Sequence, residues 1–329
     1  MADEKDNIEY SRQELSESVV REQLRLIDSD APRGRRLEIE AQGRGYRLQY
    51  EHPHGRLYQG DCREWLSSLP GASVDVIFAD PPYNVKKAEW DTFESQEAYI
   101  EWSLEWIEPA ARALKPNGSM FVCGMSETLA DLKHPASRHF AGCRWLIWHY
   151  KNKANLGGDW GRSHESILHF RKATSFKLNI DRVRIPYGGH TLKYPSHPQA
   201  ETSNFGNGAK RDNWMPHPLG AKPKDVIEIP TTCNGMGEKT PHPTQKPEEL
   251  LRKLIFAASN AGDTILDPFS GSGTTLVVAE QLNRRWLGCE LSAEYNGWAM
   301  DRLDNVRRMS EEDWIAFDRK NLERRTSIR

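Results

Sequence analysis

Residues 262–291 read GDTILDPFSGSGTTLVVAEQLNRRWLGCEL, and this stretch decides the fold. Thr264 to Asp267 (TILD) is a short apolar, β-branched run, which predicts a buried strand and is too brief for a helix. Pro268 cannot donate to a sheet ladder, so the strand must stop there. Asp267-Pro268-Phe269-Ser270-Gly271-Ser272-Gly273 then forms a turn, TTLVVAEQL predicts a helix, and RWLGCEL predicts a second strand. Strand, turn, helix and strand in one run of this length make a βαβ unit, whose strands are parallel. The chain is therefore expected to be α/β.

Glycines in such a turn let the backbone come close to a ligand, and the helix N-terminus offers free N–H groups. Glu290 ends the second strand, where a carboxylate is placed to accept both ribose hydroxyls of a nucleoside. A bare structural turn would explain the glycines but gives Glu290 no task. The spacing Gly271-x-Gly273-x-x-Leu276 lacks the third glycine of the dinucleotide fingerprint. The pattern favours a mononucleoside such as S-adenosylmethionine, with Asp267, Phe269, Ser270, Gly271, Ser272, Gly273, Thr274 and Glu290 as candidate cofactor-binding residues.

Working outward, residues 74–79 (VDVIFA) predict another buried strand, halted by Asp80-Pro81-Pro82-Tyr83-Asn84. This second loop suits transfer to an exocyclic base amine. The lone pair of such an amine is delocalised into the ring, and acceptors aimed at its protons would free it. Asp80 supplies a carboxylate, Pro81 a carbonyl held out of any ladder, and Pro82 helps fix the turn. Tyr83 supplies a flat face for an extruded base. Asp80, Pro81, Pro82 and Tyr83 are thus the candidate catalytic residues, and Asp80 is a candidate cofactor contact as well. A helix is expected over SQEAYIEWSLEWIEPAARAL, strands over GSMFVCG, RWLIWHYKN and SILHFRK, and a further helix over PEELLRKLIFAAS. Residues from 186 to about 240 are rich in Pro, Gly, Asn, His and Lys without a period, which suggests a functional loop region. The last twenty residues read as a charged helical tail.

The composition is that of an ordinary α/β protein: 329 residues, 28% charged, 37% hydrophobic, net charge −2. That charge neither advertises nor excludes nucleic acid, because the footprint is a local patch. Five scattered cysteines without a C-x-x-C pair argue against a metal site and for reduced thiols in the cytoplasm. No run approaches a membrane span, and the acidic start MADEKDNIEY has no signal core. Residues 1–50 are expected to be an appendage, partly helical (SESVVREQLRLID) or disordered, ahead of a catalytic domain over 51–329.

At both loops the sequence resembles the DNA amino-methyltransferases. Asp80-Pro81-Pro82-Tyr83 matches their catalytic tetrapeptide and Phe269-Ser270-Gly271-Ser272-Gly273 their cofactor loop. The catalytic motif comes first, by 187 positions (267 − 80 = 187), an order similar to the circularly permuted beta class. His242-Pro243-Thr244-Gln245-Lys246-Pro247 matches a third motif of that class, which lines the methionine end of the cofactor; Thr244 and Lys246 would meet its carboxylate. Gly60-Asp61-Cys62 matches a shorter one, with Asp61 near the cofactor's adenine. The resemblance covers about residues 57–307. It implies a Rossmann-like S-adenosylmethionine-dependent methyltransferase fold, a mostly parallel sheet with an antiparallel edge strand. A loop-rich target-recognition insertion would occupy about 186–240. There Lys193, Lys210, Arg211, Lys222 and Lys224 would contact phosphates, and Asn207, Asn213 and Trp214 bases.

The implied substrate is double-stranded DNA, methylated at N6 of a flipped-out adenine, in a bacterial or phage-type cytoplasm at the nucleoid. Homodimers are common in the class, and a cognate restriction endonuclease accompanies its restriction-modification members. Methylation of cytosine N4 is nearly the same chemistry, though such enzymes more often carry Ser where Asp80 stands. Two more distant readings are methylation of RNA or of a protein glutamine, where Asn usually heads the tetrapeptide, and an inactive DNA-binding module.

Overall fold

The computed structural model describes residues 34–37, 45–85, 91–153, 158, 160–195 and 215–327. The expected SESVVREQLRLID helix lies outside them, as do Asn207, Lys210, Arg211, Asn213 and Trp214. The described residues form one ten-stranded sheet. Its strands are β1 (Arg35–Arg36), β2 (Tyr46–His52), β3 (Gly55–Gly60), β4 (Val74–Ala79), β5 (Leu114–Gly124), β6 (Gly142–His149), β7 (His164–Arg171), β8 (Val226–Glu228), β9 (Thr264–Asp267) and β10 (Arg285–Glu290), in spatial order β1-β2-β3-β10-β9-β4-β5-β7-β6-β8. The helices are α1 (Cys62–Ser68), α2 (Gln96–Ala113), α3 (Ser126–Ala136), α4 (Gly189–Lys193), α5 (Glu248–Ala258), α6 (Thr274–Gln281), α7 (Ala293–Asp304) and α8 (Glu311–Ser327).

The βαβ unit read from residues 262–291 is β9-α6-β10, parallel, with Leu266 opposite Leu287. Its helix is buried along its whole length, so apolar side chains occupy every face and no amphipathic stripe shows. All six residues of β4 are buried as well, as a central parallel strand covered on both faces should be. One cluster joins Val76, Phe78 and Ile265 to α5, α6, α7 and Trp314 of α8; the other joins Ile77, Ala79 and Leu266 to α1, α2 and α3. Asp75 is the polar exception in β4. It accepts from the Thr264 N–H at 3.0 Å and from Lys115 at 2.7 Å, which ties β4 to its two neighbours.

Three features go beyond the expected outline. Only β2 and β7 run against the other strands, and β7 lies inside the sheet, because β6 and β8 continue beyond it. The antiparallel part is therefore larger than one edge strand. At the other edge, β2 pairs with β3 from Tyr46 to His52, so the boundary expected at residue 51 falls inside β2. The C-terminal helix is also no free tail. Trp314 is buried, and Asp318 takes the Arg252 guanidinium at 2.8 Å.

The topology fixes where a ligand can bind. From β4 the chain crosses by α2 to β5 on one side, and from β9 by α6 to β10 on the other. Neighbouring strands whose crossovers diverge leave a crevice at their C-terminal ends.

Candidate active site

A cavity of about 510 Å³ opens at that crevice. Most of the predicted residues line it: Asp61, Asp80, Pro81, Pro82, Tyr83, His242, Thr244, Lys246, Asp267, Phe269, Ser270, Gly271, Ser272, Thr274 and Glu290. Four strand ends deliver most of them: β3 brings Asp61, β4 Asp80, β9 Asp267 and β10 Glu290.

On the β9 side the turn is shaped by backbone donors. The Phe269 N–H reaches Asp267 Oδ1 at 2.9 Å, Ser270 N–H the Cys289 carbonyl at 2.9 Å, and Gly273 N–H the Ser270 carbonyl at 2.7 Å. Gly271 has φ +50°, and a Cβ there would stand 3.0 Å from His242 Nε2. Gly273 does not line the cavity; it has φ +76°, and a Cβ would meet that of Ala299 at 2.7 Å. It caps α6 and seats it against α7. The Glu290 carboxylate spans the mouth of the turn, accepting from Gly271 N–H and Ser292 N–H, each at 2.8 Å. Burial raises its pKa against these donors. Asp267 is deeper and has no cation beside it among the described residues, so burial pushes its pKa up to about 7 despite the Thr275 and Phe269 hydrogen bonds. The Phe269 ring packs edge-on to Trp106 and beside Trp102.

On the β4 side the site is built from side-chain charges. Lys246 Nζ lies 2.6 Å from Asp80 Oδ2 and 3.4 Å from Glu165 Oε2. The Tyr83 hydroxyl lies 2.5 Å from Asp80 Oδ1 and 3.1 Å from Glu165 Oε2. Burial opposes charge on Lys246, but Asp80 and then Glu165 outweigh it and hold the ammonium above its usual pKa. Burial raises Asp80, with Lys246 opposing; for Glu165 burial is overcome by Lys246 and its pKa falls. Asp91 shapes the turn from outside, accepting the Tyr83 N–H at 2.6 Å and the Val85 N–H at 3.2 Å.

The segment from His242 to Pro247 bridges the two halves. Gln245 anchors it, taking the Thr240 N–H at 2.7 Å and donating to the Glu238 carbonyl at 2.6 Å. Pro247 caps α5. His242 packs on Tyr295 and is buried, which lowers its pKa to about 4 and keeps it neutral. Asp61 caps α1 and is held by Arg63, at 2.8 Å through its N–H and 2.6 Å through its guanidinium. Arg302 ties the glycine turn to α5, reaching the Ser272 carbonyl at 2.9 Å and Glu248 at 2.8 Å.

Sequence reading missed Glu165, Asp91, Trp102, Tyr295 and Arg302. Glu165 had a signal, a carboxylate entering an apolar strand; the rest meet the site only through the fold. Lys193, Lys222 and Lys224 are exposed and do not line the cavity. Lys222 and Lys224 approach the start of β8, away from the strand ends that carry Asp80. Among the described residues His52, His54 and Glu280 bring metal-ligating atoms within 4.8 Å of one another. Glu280 is already taken there by Trp286, His54 and the Arg308 cation.

A mostly parallel sheet thus carries a glycine turn, a strand-end carboxylate beside it and an Asp-Pro-Pro-Tyr turn next door, all open to one cavity. The chain belongs to the DNA methylase family of N6/N4 amino-methyltransferases, which its residues 74–301 match. The family uses S-adenosylmethionine. The chain is 32% identical over 250 residues to the Type II methyltransferase M1.MboII of Moraxella bovis, covering 73% of this chain and 93% of that protein. It is 31% identical over 281 residues to the DNA adenine methyltransferase YhdJ of Escherichia coli K12, covering 83% and 91%. Among solved structures, the PvuII DNA methyltransferase (cytosine-N4-specific) superposes with a TM-score of 0.58 at 20% identity, over 82% of this chain and 92% of that one. The TTHA0409 protein of Thermus thermophilus, solved with S-adenosyl-L-methionine, gives 0.51 at 24%, over 76% and 93%. No helix among the described residues is long and apolar enough to cross a membrane.

Proposed function

We propose that the chain methylates the exocyclic N6 of an adenine flipped out of duplex DNA. The observation that carries this reading is the Asp80 carboxylate, at the end of β4, opening into the same cavity as Glu290 and the glycine turn. S-adenosylmethionine, when bound, supplies the electrophilic methyl group.

The residues fit that cofactor. Glu290 is oriented by two main-chain donors and keeps lone pairs for a ribose diol. Gly271 leaves room that a side chain would fill, and Phe269 offers a flat apolar wall. Asp61, His242, Thr244, Asp267, Ser270, Ser272 and Thr274 complete the binding surface in this reading. Asp80 accepts a hydrogen bond from the target amine and holds the proton that the amine sheds, a role suited to a carboxylate whose pKa burial has raised. The Pro81 carbonyl takes the second amine proton, and Tyr83 stacks on the base. The stretch 186–240, with its exposed Lys193, serves target recognition as an insertion in the catalytic domain. The Type II names of the relatives support a restriction-modification setting with a cognate endonuclease.

Cytosine N4 is the second reading, because the PvuII enzyme shares the fold. The relation to YhdJ, whose name specifies adenine, is closer in sequence and favours adenine here. Expression in a host free of DNA methylation, followed by nucleoside mass spectrometry, separates the two. N6-methyladenine is expected; N4-methylcytosine in its place would overturn the adenine assignment.

A further inference from the structure

The Tyr83 hydroxyl sits between two carboxylates, 2.5 Å from Asp80 Oδ1 and 3.1 Å from Glu165 Oε2. A phenol carries one proton and donates to one acceptor at a time. The shorter contact gives that proton to Asp80. Lys246 holds the other Asp80 oxygen at 2.6 Å, so both oxygens already have donors. Yet the reading of Asp80 as acceptor for the target amine requires one of them. Oδ1 can accept a second bond, but two donors divide its charge, and the amine needs it undivided. Meanwhile Glu165 is a carboxylate at the head of β7, its side chain only 9% exposed, to which that reading assigns no task.

We propose that Glu165 is a positioning residue for methyl transfer: it takes over the Tyr83 hydroxyl as the target amine arrives, and so frees Asp80 Oδ1. The exchange needs no movement of the ring. Rotation of the O–H bond about Cζ–O turns the proton from one carboxylate to the other, and the oxygen is already within reach of both. The ring stays available for the base. Lys246, 3.4 Å from Glu165, offsets the second negative charge throughout. A carboxylate rather than a neutral acceptor is required, because the hydroxyl must be drawn from another carboxylate, and charged acceptors bind about twice as strongly. The proposal rests on Asp80 being the amine's acceptor.

Epistasis tests it. Single-turnover methylation of DNA from an unmethylated host is measured for wild type, Glu165→Gln, Tyr83→Phe, the double variant and Asp80→Ala, with S-adenosylmethionine affinity measured alongside. Glu165→Gln should be slower by roughly tenfold or more, the scale of a charged hydrogen bond, at unchanged cofactor affinity. Tyr83→Phe, which keeps the stacking ring and loses only the hydroxyl, should be faster than Glu165→Gln. The double variant should recover the Tyr83→Phe rate, since without the hydroxyl nothing blocks Asp80. A merely structural Glu165 gives no such rescue. A double variant as slow as Glu165→Gln overturns the proposal, as does a Glu165→Gln rate equal to wild type or a Tyr83→Phe rate as slow as Glu165→Gln. If Glu165→Gln does not fold, Glu165→Asp, with its carboxylate withdrawn by one methylene, is read in the same way. Substantial activity in Asp80→Ala would sink the underlying reading instead, so the two failures are distinguishable.

Discussion

β4 and β9 lie side by side, with Val76 opposite Ile265, and each ends in Asp-Pro. The same dipeptide at neighbouring strand ends has two electrostatic fates. Asp80 is bonded by the Lys246 ammonium at 2.6 Å, with Glu165 and Tyr83 around it. Asp267 has main-chain and hydroxyl donors and, among the described residues, no cation, so it holds its proton up to about 7. Local sequence fixes both turns, one through a second proline and one through glycines. What each aspartate can do is set by chain far away, since Lys246 lies 166 residues beyond Asp80. The β4 end is built from side-chain charges, and the β9 end from main-chain donors.

Substitutions should divide along that line. A large effect is expected at Lys246→Met, which removes the ammonium that Asp80 and Glu165 share. Breaking a buried pair from one side costs about 3–5 kcal/mol, to be seen in denaturant unfolding, and methyl transfer should fall at least about 100-fold. A stable, active Lys246→Met enzyme would erase the contrast between the two ends. Next, Glu290→Ala should weaken S-adenosylmethionine binding by roughly 10- to 100-fold by calorimetry, the worth of about 1.5–3 kcal/mol in charged hydrogen bonds. Catalysis at saturating cofactor should change little. Tyr83→Ala should lose about 1–3 kcal/mol of affinity for a duplex mismatched at the target base, whereas Tyr83→Phe should bind it like wild type. Equal losses in both would assign the effect to the hydroxyl and not the ring.

The smallest effect concerns pH. With a folded pKa of about 7 against a usual 3.8, Asp267 keeps a proton that the unfolded chain has released. Between those values stability therefore falls as pH rises. Asp267→Asn removes that cost, so it should melt roughly 2–4 °C higher than wild type at pH 8. The gain should fade as pH drops below about 7 and vanish near 4. A gain that persists undiminished at pH 4 would mean Asp267 is charged in the folded protein, as Asp80 is meant to be.

The two turns were legible because proline and glycine leave the backbone few choices, and the helix and strands between them followed from period and length. Lys246 was visible as part of a motif, but not its destination; the expected contact was the cofactor's carboxylate, and the structure sets its ammonium on Asp80 and Glu165. Glu165 could not be placed because β7 runs antiparallel, and only that reversal brings the strand's first residues to the end of the sheet where β4 finishes. The edge hairpin of β2 and β3 was hidden by the polar surface of its outer strand, five of whose seven residues are partly or fully exposed.

Asp80→Ala bears most directly on the claim that the β4 end performs the transfer while the β9 end only binds. The measurement pairs single-turnover methylation of DNA with S-adenosylmethionine affinity on the same preparation. The account predicts a rate at least about 1000-fold below wild type, some 4 kcal/mol of lost barrier reduction, with cofactor affinity within about threefold. A variant that retains more than about a tenth of the wild-type rate, a loss under roughly 1.4 kcal/mol, would contradict it.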